Sequence, residues 1–305
     1  MDPSKSIDKL ATVVAIIVGV TQIFGFFSSD ESILKIIIIF LFTVNLLFFV
    51  MLQKNKKDMQ SKTIKYKKEL SKLDLELYDQ GIELEEAMEK NMDKNPELAK
   101  STLERGMADY VSKLSEIITL HSEEEVNVTL RIIKEDNIDD IASATVAPIA
   151  LSKSINSTRM RVFNASGAAN GRVIRNNTDF QFLCDDRVIT YFYAQDLTKL
   201  FGYQNENLQY ADFYKGKIVL PVNYYGEDAK QYGYYHTVAN TSFSTLGFII
   251  ADTPNPKLFT DERKDYYLNL LELYAKRSSQ LLYEYKYCTK KVSAEKNKTK
   301  KEKDK

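Results

Sequence analysis

The chain of 305 residues has no tryptophan, only two cysteines and two histidines, and six prolines. Cys184 and Cys288 lack CxxC spacing, and neither His121 nor His236 has a neighbour at metal-ligand spacing. A disulfide framework and a zinc or iron centre therefore find no support, and the cysteine usage suits a reducing compartment. No G-x-x-x-x-G-K or G-x-G-x-x-G phosphate loop, G-x-S-x-G elbow or H-E-x-x-H helix occurs. The common nucleotide-binding, hydrolase and metalloprotease signatures are thus missing. Asp185-Asp186 is a carboxylate pair without a base or metal partner, and reads as a helix end. The expectation is a chain that is not an enzyme and carries no cofactor.

Charge of one sign is also absent overall, with 42 Lys and Arg against 42 Asp and Glu. The balance hides an uneven distribution. Gln53–Lys72 holds eight lysines and two acids, and Thr289–Lys305 eight lysines and three acids, so two basic segments flank an acidic body. Neither segment interleaves aromatics or arginine, which argues against a nucleic-acid partner. Lysine runs beside anionic lipid are drawn to its surface by about 1 kcal/mol per residue.

What the sequence does have is two long apolar runs, 10–27 and 33–52, separated by the polar Ser28–Ser32. As helices they would span roughly 27 and 30 Å, about the thickness of a bilayer's hydrocarbon core. The expectation is a transmembrane hairpin with the lipid bilayer as partner. The lysine excess after the second run places both termini in the cytoplasm, at the inner (plasma) membrane. A signal peptide fits less well, since no small-x-small cleavage site precedes the turn and a second run follows. Thr21 and Thr43 fall at similar depth, and with no Asp, Glu, Arg or His in either run they read as interhelical glue rather than an ion path.

Beyond the hairpin, Tyr66, Leu70, Leu73, Leu77, Gln80, Leu84 and Ala87 repeat in steps of four and three, the seam of a coiled coil. Asn95-Pro96 interrupts it, and Leu103, Met107, Tyr110, Leu114 and Ile117 resume the spacing. Residues 53–99 are expected as a basic helical stalk, with a homodimer through that stalk. After His121 the period changes to two: Val126, Val128, Leu130 and Ile132 alternate with Asn127, Thr129 and Arg131, predicting a strand. Further strands are predicted at Ser143–Leu151, Val188–Tyr193, Lys217–Val222 and Leu246–Ala251. Short helices are predicted at Asn177–Asp185 and Asp196–Gly202, and a long one over Thr260–Lys286 capped by Thr260. The fold class is α+β. Residues 288–305 are expected as a disordered lysine-rich tail, and 1–9 as a cytoplasmic N-terminus.

Ile218–Val222, then Gly247–Asp252 and Phe259 before the long helix, resemble the second half of a GAF domain. Asn177–Phe180 and Asp196-Leu197 also match segments seen in variants of that shape. The resemblance covers 100–287 and implies a GAF-like antiparallel sheet flanked by helices, the helix over Ser101–Thr119 packing beside the C-terminal one. It further implies a small-molecule or dimerisation domain. The cyclic-nucleotide arrangement and a chromophore-attaching cysteine are not found, so no particular ligand carries over.

Thirteen tyrosines and phenylalanines crowd residues 191–235. Phenols beside Asn and Asp can stack a planar ligand and bond its edge, although a core without tryptophan would use them for packing. The candidate ligand-binding residues are Asp179, Tyr191, Tyr193, Asp196 and Tyr214, with Arg161 and Arg175 as anion clamps for a nucleotide-like molecule. The function expected is a bacterial membrane-anchored, non-catalytic sensor. Two alternatives stay open: a two-span membrane-disrupting effector of ligand-triggered phage defence, and a membrane scaffold with a degenerate GAF fold.

Overall fold

The computed structural model describes residues 40, 44–57, the positions 61, 68, 71, 75 and 84, then 92–153, 155, 159–161, 171–185, 190–238 and 240–303. The chain divides into two compact units, Met1–Lys68 and Glu69–Lys305. In the first unit, 44–57 are helical, and Leu46, Leu47, Phe49, Val50 and Met51 are all exposed. Most of the two apolar runs lies outside the described residues. Among the described residues no helix is long and apolar enough to cross a membrane. The seam over 66–87 likewise lies outside them, apart from Leu84.

The second unit opens with helix α1 (Pro96–Ser122). Asn95-Pro96, expected as a break, is the start signal of this helix. The Asn95 side chain accepts from the Leu98 N–H at 3.1 Å, and proline is tolerated at the first helical position because its missing N–H has no partner there anyway. Leu103, Met107, Tyr110, Leu114 and Ile117, the residues at heptad spacing, are buried in the domain's own core. Their stripe packs on the sheet and the last helix, so it is the seam of this domain and does not extend the stalk.

Strands β1 (Asn127–Ile133), β2 (Thr145–Leu151), β3 (Arg172–Val173), β4 (Phe192–Ala194), β5 (Gly216–Tyr224), β6 (Tyr234–Val238) and β7 (Thr241–Thr253) form one sheet. Its order is β3-β2-β1-β7-β5-β4, every neighbouring pair is antiparallel, and β6 pairs with β7. Between them lie α2 (Thr178–Asp185) and α3 (Tyr210–Phe213), and α4 (Asp261–Lys303) closes the chain. The fold is α+β, an antiparallel sheet with flanking helices. Helix α1 lies beside α4: the Tyr110 and Tyr274 rings are 4.7 Å apart, and Tyr285 donates to Glu104 at 3.0 Å.

Both faces of the sheet are covered. Val128, Leu130 and Ile132 of β1, Ile218, Leu220 and Val222 of β5 and Ile249 and Ala251 of β7 join α1 and α4 in one core. Val146, Phe248, Ile250, Val219 and Phe192 join Ile174, Phe180 and Tyr214 in a second core on the opposite face. Strands β1 and β7 are held close by Gly247, which pairs with Ile132; a Cβ there would lie 1.9 Å from the Arg131 carbonyl oxygen.

Several elements differ from expectation. Over Asp196–Gly202 a single 3-10 turn forms, Leu197–Lys199, because the Asp196 carboxylate caps it locally. The strand expected at Leu246–Ala251 extends over thirteen residues and pairs with β6, a strand masked in the sequence by its run of polar aromatics. The last helix continues to Lys303 rather than giving way at 287 to a disordered tail. Cys288 and Val292 stay buried on its apolar stripe, and the Lys290 ammonium sits 4.0 Å from the centre of the Tyr232 ring.

Candidate functional site

A strand alternates its side chains between faces, so one residue step separates the two cores. On β1 the step from Leu130 to Arg131 crosses from the helix-covered face to the other. Asn127 and Thr129, on that same second face, are 2% and 4% exposed, so the polar half of the strand is not solvated. Register places Arg131 opposite Phe248, Thr129 opposite Ile250 and Lys217 opposite Asp252. Arg131, Thr129, Ile250, Lys217 and Asp252, with Phe180 of α2, Tyr214 after α3 and Arg159, line a cavity of about 60 Å³.

Most charges around this cavity are paired. Arg159 grips Asp252 through both nitrogens, at 2.6 and 2.7 Å, and its guanidinium carbon lies 5.0 Å from the centre of the Tyr214 ring. Burial works against the Arg159 charge, but Asp252 outweighs it and the pKa stands above the usual value. Lys217 of β5 donates to Asp179 of α2, both side chains being closed from solvent. Burial opposes the Lys217 ammonium too, yet Asp179, with Tyr203 and Tyr214, raises its pKa. Asp179 also accepts from the Phe180 N–H at 3.0 Å. Arg172 approaches Glu206 at 3.6 Å, and Glu206 accepts from the Val173 N–H and the Asn176 amide.

Arg131 is the exception. Its Nε and Nη1 are buried and, among the described residues, have no hydrogen-bond partner. Burial lowers its pKa against the pull of Tyr214 and Asp179, while Arg172 and Arg159 add repulsion. Among the described residues, Arg159, Arg172 and Lys217 each face a carboxylate (Asp252, Glu206 and Asp179, with Glu125 also acting on Arg159), whereas Arg131 Nε and Nη1 meet no acceptor. The polar cover is fixed by Asn205, whose amide donates to the hydroxyls of Tyr203 at 2.9 Å and Tyr214 at 3.2 Å.

Of the seven residues expected at the site, two meet here: Tyr214 lines the cavity, and Asp179 holds the lysine that does. The other five stand elsewhere. Tyr193 donates to the Phe259 carbonyl at 2.7 Å and packs with Tyr191 against the helix-side core, under Lys264. Burial and then Asp261 push the Tyr193 phenol up to about 12. Asp196 caps its turn, binding the Thr198 N–H at 3.1 Å and Lys199 at 3.4 Å. Arg161 and Arg175 are exposed and do not line the cavity. The arginines that do are Arg131, Arg159 and Arg172. Only Arg131 carried a signal in the sequence, as the cationic member of the polar half of a strand pattern.

Among the described residues no group of His, Cys, Asp and Glu could hold a metal ion.

No protein-family model matches the chain, and no curated protein sequence matches it. Among solved structures it is similar to the GAF domain of a phosphoenolpyruvate-protein phosphotransferase from Acinetobacter, at 8% identity and a TM-score of 0.35, over 68% of this chain and 92% of that one. The corresponding domain from Coxiella burnetii gives 10% identity and 0.35, over 71% and 96%. A type II free methionine-R-sulfoxide reductase from Thermoplasma acidophilum gives 10% and 0.36, over 60% and 96%.

Proposed function

We propose that this chain is a non-catalytic sensor whose GAF-like domain binds a small molecule in the cavity on the second face of its sheet. The observation that carries this is the cavity's lining. Charged side chains are built into the middle of the sheet and held by ion pairs, where apolar residues would pack at lower cost. A pure scaffold has no need of such a lining. The antiparallel sheet and the pairing of α1 with α4 support the GAF-like reading.

The binding strand is mechanically tied to the helix before it. Ser115 of α1 donates to the Val126 carbonyl at 2.5 Å, and Thr119 accepts from the Val126 N–H at 3.2 Å. A ligand drawing on Arg131 would load β1 and, through these bonds, α1 and the segment preceding it. The apolar runs 10–27 and 33–52 are proposed to hold the domain at the cytoplasmic face of a membrane. The exposed apolar side chains Leu46, Leu47, Phe49, Val50, Met51 and Leu52 are in keeping with lipid contact. The homodimer through 66–87 is part of the same proposal.

The test is in two parts, both on the full chain. Washed membranes should retain it, and removal of residues 10–52 should release it to the supernatant. Native mass spectrometry of protein exposed to cell extract should find a retained small molecule. Recovery of the intact chain in the soluble fraction would sink the membrane part, and no retained mass would sink the sensor part.

A further inference from the structure

The cavity's charge and size narrow what it can take. Each of Asp179, Asp252 and Glu206 is paired with another cation, and among the described residues none accepts a hydrogen bond from Arg131 Nε or Nη1. A guanidinium whose buried donors find no acceptor is a costly arrangement in an empty protein, and a ligand of opposite charge relieves it. The unmet donors of Arg131 call for an acceptor that carries negative charge. The space, about 60 Å³, holds roughly four to six water-sized groups. That is far below the ~300 Å³ and more of sites for drug-sized ligands, and too little for a nucleotide. The lining is also two-sided: Phe180, Tyr214 and Ile250 offer carbon, whereas Arg131, Asn205 and Thr129 offer polar atoms.

We infer that the cavity binds a short-chain carboxylate, a singly charged organic anion of about four to six heavy atoms, with its carboxylate drawn to Arg131 and its carbon end against Phe180, Tyr214 and Ile250. This rests on the sensor reading above and names its ligand. Phosphate and sulfate match the size but not the apolar side. Neutral amides match the shape but leave the arginine unbalanced. Because Arg131 stands on a central strand with Gly247 across from its neighbour, its position is set by the ladder rather than by a loop.

The experiment is calorimetric titration of the full chain in detergent with acetate, propionate, pyruvate and lactate, with inorganic phosphate and propionamide as controls. Carboxylates should bind, with phosphate and propionamide at least about tenfold weaker. Arg131→Met should lower carboxylate affinity by about 10- to 100-fold and raise the melting temperature of the ligand-free protein, because it removes an uncompensated charge. Arg131→Lys should keep part of the affinity. Failure of every carboxylate to bind overturns the inference whatever the melting temperature does. Equal binding of phosphate overturns the carboxylate class, and equal binding of propionamide, unchanged in Arg131→Met, overturns the role of charge. In each of these cases a different compound retained from extract leaves the sensor reading standing, and an absence of any retained compound ends both.

Discussion

Substituting Lys217 by methionine tests whether the second face of the sheet is as closed as described. The Lys217 and Asp179 side chains are 6% and 0% exposed and in direct contact. At about 3 Å and an effective dielectric constant near 20, their attraction is about 5 kcal/mol. Removing the lysine leaves Asp179 with the Phe180 N–H at 3.0 Å and a long contact to the Tyr203 hydroxyl at 3.5 Å. Breaking one side of such a pair costs about 3–5 kcal/mol, because the remaining charge stays buried. Removing both partners, as Lys217→Met with Asp179→Leu, should recover most of that loss, since an apolar pair of similar volume is often neutral. Urea denaturation of the full chain in detergent, followed by circular dichroism, gives the four stabilities of the cycle. Single losses below about 1 kcal/mol, or a double loss equal to the sum of the singles, would refute a buried pair.

Two further outcomes follow from the same structure. Gly247→Ala should cost about 3 kcal/mol, toward the upper end for overpacking, because the new Cβ meets the Arg131 carbonyl oxygen at 1.9 Å; unchanged melting would show that the two strands are less closely held. Stability should also depend on alkaline pH. The Tyr193 phenol is raised to about 12, and the pKa values of Tyr203 and Lys217 are raised as well. Each keeps its proton in the folded state where the unfolded chain has begun to release it, near pH 10. Stability is therefore full below about pH 10 and falls as pH rises toward 12. Melts at pH 8, 10 and 11 check this; a constant midpoint to pH 11 contradicts it.

Much of the frame was legible in residue spacing. The alternation over Val126–Ile132 marks β1, and the stripe from Leu103 to Ile117 marks α1, because burial against a core imposes period two or 3.6 whatever the partner. The partner itself is not encoded in the period, so the α1 stripe also suited a dimer stalk. The site was harder to see for a related reason. Alternation shows which residues share a face, yet a polar face is usually solvated, and nothing local to Asn127, Thr129 and Arg131 reveals the cover. That cover comes from α2 and the loop carrying Asn205, more than forty residues away in sequence. Lys217 and Asp252 meet opposite each other only through the β5–β7 register, which two isolated strands cannot show. Arg161 and Arg175, expected as anion clamps, are exposed and stand outside the cavity lining.

The most direct measurement is hydrogen–deuterium exchange of the full chain with and without saturating short-chain carboxylate. Bound ligand should slow exchange in 203–214, whose Asn205, Asn207, Phe213 and Tyr214 line the cavity with Arg131, and leave the buried turns of α4 unchanged. Exchange in 203–214 that is the same with and without ligand, or slowed only in the helices, would contradict a binding site on this face of the sheet.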